Sequence, residues 1–140
     1  MLNLYTHILM DLQRRAGGNP FDNRNTLYGG ASDDNALNDG VARYAADAQA
    51  VHYLRQYTST GRLSRPLLAI QTTYDPILPA WGTNMYATLV EQSGAAGLFV
   101  QQYVKHDGHC AILPAEVKRG FEQLREWKTS GKRPAAGLDQ

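Results

Sequence analysis

Two residues in this chain have the type and setting for nucleophilic acyl chemistry. Asp75 lies in the turn Thr73-Tyr74-Asp75-Pro76-Ile77-Leu78-Pro79, directly after the apolar run Leu67-Leu68-Ala69-Ile70. His109 lies in His106-Asp107-Gly108-His109-Cys110, after Leu98-Phe99-Val100 and Tyr103-Val104. In a Ser-Asp-His triad the histidine takes the serine proton and returns it to the leaving group. The carboxylate fixes the histidine tautomer and stabilises the imidazolium. Asp75 and His109 fit those two roles, in that chain order. The chain has no Gly-x-Ser-x-Gly to supply the serine. The pair therefore reads as the acid-and-histidine part of a catalytic site whose nucleophile comes from elsewhere.

The elements that would position this pair begin at Pro66. Leu67–Gln71 is a short, nearly all-apolar run, as in a buried parallel strand. Trp81, Met85 and Leu89, with Tyr86 and Val90, predict a helix that stops at Gly94. Leu98–Val104 is a second strand. Pro114 suits the first turn of a last helix, Glu116 suits its positive end, and Val117, Phe121, Leu124 and Trp127 form its buried face. A right-handed crossover would make the two strands parallel. Ligands of such sheets bind at the carboxyl ends of the strands, where Asp75 and His109 both fall.

The part before Pro66 is helical and looped. Leu4, Ile8 and Leu12, with Leu9, predict a helix over 2–15 that stops at Gly17-Gly18. Residues 17–35, rich in Gly, Asn and Asp, form a loop long enough to suggest a lid, a binding excursion or disorder. Leu37, Val41, Tyr44, Ala48 and Val51 predict helix over 36–57, with Asp47 able to restart it as a second N-cap. The expected organisation is a helical cap or lid-like segment over 1–65, a βαβα unit over 66–134 and a frayed tail over 135–140. The fold class is α/β.

With these motifs in place, residues 66–134 resemble the C-terminal portion of an α/β-hydrolase. In that family an acid commonly follows a late strand, here within Tyr74-Asp75-Pro76-Ile77-Leu78-Pro79, and the histidine follows the last strand, here as Gly108-His109-Cys110. The resemblance implies a partial α/β-hydrolase fold, with residues 36–57 as part of an inserted cap. It also implies serine hydrolysis of an ester or related acyl bond, with Asp75 and His109 catalytic. The family's nucleophile elbow and oxyanion loop would lie upstream of everything here.

Other residues compete weakly for these roles. Ser59, in Tyr57-Thr58-Ser59-Thr60-Gly61, has Tyr where an elbow needs its first Gly, and stands too close to Asp75 for the usual intervening elements. Cys110 adjoins His109, but neighbouring loop residues rarely present their side chains to each other, so it reads as a small packing residue. His106 and His109 with Asp75 have no further well-spaced metal ligand beside them. His7 and His52 sit on predicted helices as surface or packing residues. Tyr74, Trp81 and the Gly/Asn-rich loop are candidates to line an acyl pocket.

The formal net charge of +1 favours neither nucleic acid nor an anionic membrane surface. No apolar run reaches the ~20 residues of a membrane-spanning helix, and the N-terminus lacks a signal-peptide pattern; the compartment is left open, with the cytoplasm only as a default. The single cysteine permits no intrachain disulfide. Triad chemistry requires no cofactor. Two strands leave sheet edges and apolar faces open. The expected partners are therefore a small ester or acyl substrate and a further protein surface, either a second copy or the missing N-terminal half. The competing expectation is a non-catalytic assembly module that retains a hydrolase-like scaffold.

Overall fold

The computed structural model describes the backbone of residues 2–138 and the side chains of residues 6–138. Leu4 lies outside the described side chains. The chain is mixed α/β and divides into two compact units, 1–58 and 59–140. The division thus falls in the polar connection before Pro66, at Thr58/Ser59 rather than after Arg65.

The first unit contains α1 (Leu2–Ala16), α2 (Asp34–Gly40) and α3 (Ala48–Arg55). The continuous helix expected over 36–57 is broken, and Asp47 stands at the N-cap of α3. The Asn-rich stretch is organised by its own side chains. Buried Asn23 donates to the Ala42 carbonyl at 2.9 Å and accepts from the Tyr44 amide at 2.6 Å. The Arg43 guanidinium donates to the carbonyls of Asn23, Thr26 and Asn38. Short polar side chains here replace secondary structure as partners for the backbone.

The second unit is built on a parallel three-stranded sheet in the order β1-β2-β3, with β1 Leu67–Tyr74, β2 Phe99–Asp107 and β3 Gly137–Leu138. Leu67 pairs with Phe99 and Thr72 with Val104, and the register shifts between Thr72 and Tyr74. Two helices follow the strands: α4 (Trp81–Gln92) and α5 (Pro114–Ser130). Alternation along β1 sends Leu68 and Ile70 toward Gly120 of α5, and Ala69 toward the core of Val90, Ala95 and Phe99. Tyr86 meets Phe99 edge to face, with centroids 5.4 Å apart.

Three expectations need correction. The tail is not frayed through 137–138: Gly137 and Leu138 pair with Gln102 and Tyr103, and Gln102 Nε2 donates to the Ala135 carbonyl at 2.9 Å. Arg133 fixes the approach by donating to the Phe99 carbonyl at 2.7 Å while its guanidinium lies over Trp127. Strand β2 begins at Phe99 and runs on to Asp107, because Leu98 belongs to a short 3-10 turn. Finally, Trp81, Met85, Val117 and Phe121 are exposed, and Trp127 is the buried anchor of α5. A sheet this narrow has too little surface to cover the full apolar face of either helix.

Candidate acid-histidine site

Asp75 is the first residue after β1, and the register shift just before it turns the chain away from the sheet. Its two oxygens do separate jobs. Oδ1 accepts the Ile77 amide at 2.8 Å and the Leu78 amide at 2.9 Å, closing an Asx turn. Oδ2 accepts from His109 Nδ1 at 2.8 Å. Gln71 Nε2 donates to the Leu78 carbonyl at 2.6 Å and pins the far end of the turn to the strand.

His109 follows β2 by two residues. Gly108, at φ 127°, makes the sharp turn, and its amide donates to the Tyr74 carbonyl at 2.8 Å. The two predicted site residues, 34 positions apart, are thus brought into direct contact from neighbouring strand ends. The Asp75 side chain is 6% exposed and the His109 side chain 39%. Burial pushes the Asp75 carboxyl up, but the Leu78 amide, His109 and the Ile77 amide together hold it below its ordinary value. Asp75 is therefore a carboxylate at neutral pH. An acceptor at Nδ1 puts the neutral ring's proton there and leaves the Nε2 lone pair free to take another.

His109 lines a cavity of about 470 Å³ whose wall also includes Ile70, Ile77, Leu78, Trp81, Cys110 and Ile112. Trp81 lines it as expected, whereas Tyr74 is not on its wall. No serine lines the cavity among the described residues. No family model, curated protein or solved structure matches this chain. The assignment therefore rests on geometry.

The expectation for Cys110 also needs correction. Its Sγ lies 3.6 Å from His109 Nε2. Consecutive side chains converge here because Cys110 adopts φ 56°, the left-handed region that residues other than glycine rarely enter. Only that unusual backbone turn reveals the contact. His106 is engaged elsewhere: its Nε2 donates to Glu116 Oε1 at 2.9 Å. Glu116 Oε2 in turn accepts the Leu113 amide at 2.7 Å, the carboxylate half of a capping box at the start of α5. Among the described residues, no three His, Cys, Asp or Glu gather to hold a metal ion.

Proposed function

We infer that this chain provides the acid and the histidine of a serine hydrolase of the α/β-hydrolase type, acting on an ester or related acyl bond. The observation that carries this reading is the 2.8 Å contact from His109 Nδ1 to Asp75 Oδ2, with His109 on the wall of a largely apolar cavity. A serine from outside these 140 residues attacks the carbonyl carbon and yields its proton to Nε2. Asp75 stabilises the resulting imidazolium. His109 then returns the proton to the departing alkoxide, and a water repeats the sequence on the acyl-enzyme. The apolar wall suits an aliphatic or aromatic acyl group. Residues 1–65 would serve as the cap segment. The edge of β1 that has no pairing strand among the described residues, and the exposed Val117 and Phe121, are where the complementing half, or a second copy, would add.

The second reading is a non-catalytic assembly module, favoured by the absence of a serine from the described cavity wall. Co-expression with an upstream hydrolase half bearing Gly-x-Ser-x-Gly separates the two. Hydrolysis of a p-nitrophenyl ester that appears on complementation and vanishes with His109→Ala supports the hydrolase. A stable complex without activity, indifferent to Asp75→Ala and His109→Ala, supports the module. The chain by itself should take no fluorophosphonate on serine, and a stoichiometric serine adduct would overturn the central claim.

A further inference from the structure

Nucleophile, base and orienting carboxylate lie in sequence at the cavity edge. The Cys110 thiol faces His109 Nε2 at 3.6 Å, and His109 Nδ1 faces Asp75 at 2.8 Å. The thiol is exposed and shares the cavity wall with Ile77, Leu78, Trp81 and Ile112. With the ring proton on Nδ1, the Nε2 lone pair can accept the thiol proton.

The amides of Ile77 and Leu78 donate to Asp75, that of Gly108 to the Tyr74 carbonyl, and that of Ile112 to the Cys110 carbonyl, so these four offer nothing to an oxyanion. Attack on a disulfide develops no oxyanion and requires only a thiolate, an accessible sulfur and a leaving thiolate.

We propose that Cys110 is a thiol–disulfide exchange site, modified by a small uncharged disulfide whose apolar arm seats in the cavity. Cys110 Sγ bonds to one sulfur as its proton passes to His109 Nε2. The S–S bond of the reagent breaks, and the departing thiolate takes the proton from Nε2. The products are a mixed disulfide on Cys110 and one free small thiol, so no other oxidant is consumed, and excess thiol reverses the step. The modification occupies the Nε2 side of His109 and so blocks an incoming serine. That consequence rests on the hydrolase reading, whereas the exchange does not.

The test uses 4,4′-dithiodipyridine on the full chain. Thiopyridone release gives the rate, and intact mass assigns the adduct to the chain's one cysteine. The expected rate is about tenfold or more above that of a peptide spanning residues 106–113, falling toward the peptide in His109→Gln. A native rate equal to the peptide's overturns the proposal whether or not the variant folds. So does an unchanged rate in a folded His109→Gln. Either result leaves the hydrolase reading standing, because the complementation assay judges that reading separately.

Discussion

The buried hydroxyl of Thr72 donates to the carbonyl of Gly108 at 3.1 Å and ties the end of β1 to the loop that carries His109. With the Gly108 amide bonded to Tyr74, this glycine is held at both its polar groups. Thr72→Val keeps the shape and removes the donor. The expected cost is about 1–3 kcal/mol in urea unfolding, with broadened His109 ring signals in NMR spectra. Unchanged stability and sharp ring signals would mean that other contacts hold the two loops together.

Asp75→Asn keeps an oxygen for the Ile77 and Leu78 amides and presents an NH2 to His109. The ring must then accept at Nδ1 and carry its proton on Nε2, the wrong tautomer for a base. Nitrogen-15 NMR should show the tautomer reversed. Activity in the complemented hydrolase should fall by roughly 10⁴-fold, the scale set by the same change in a serine protease triad. A wild-type tautomer in the variant would refute the assigned role of Oδ2.

The Asp75 carboxyl is held below its ordinary value, so between its native and unfolded pKa values the folded state binds fewer protons than the unfolded state. Its contribution to stability is complete above the usual carboxylate range, near pH ~4. It is lost as pH falls through the lower native value. The Leu113 amide, against opposing burial and with help from His106, sets Glu116 in the same direction. Urea midpoints measured from pH 7 downward should decline on the acid side, and less steeply in Asp75→Asn. Identical slopes would argue against the linkage.

Gly61 is held at φ 71°, and a Cβ there would run into the backbone of Leu89 and Val90. Ser93 Oγ also donates to its carbonyl at 2.7 Å, so the segment has little room to move. Gly61→Ala should destabilise the second unit by about 1–3 kcal/mol. Gly120→Ala meets chiefly the mobile end of Ile70 and should cost less. Chemical denaturation of the two variants orders them, and the reverse order would contradict this packing.

Much of the second unit is legible in the residues. Short apolar runs mark β1 and β2, and Pro114 and Gly131 bracket α5. Strand ends after apolar runs were enough to bring Asp75 and His109 to one rim. Periodicity identified one face of α4 and of α5 but could not say whether anything covers Trp81 or Phe121. Strand β3 is two residues long, too short for any pattern, and depends on Arg133 reaching back to Phe99. The Cys110 contact depends on a left-handed backbone at a residue whose type does not ask for one.

Strand β1 pairs on one side only among the described residues, and it points toward Asp75. Direction therefore acts as a filter on whatever joins that edge. A strand added in the same sense ends on the rim that holds Asp75 and His109, so a side chain just beyond it arrives on that rim. One added in the opposite sense makes comparable ladder bonds but ends at the far side of the sheet. On the hydrolase reading, two partners of equal affinity would thus differ in whether they reach the acid-histidine rim at all.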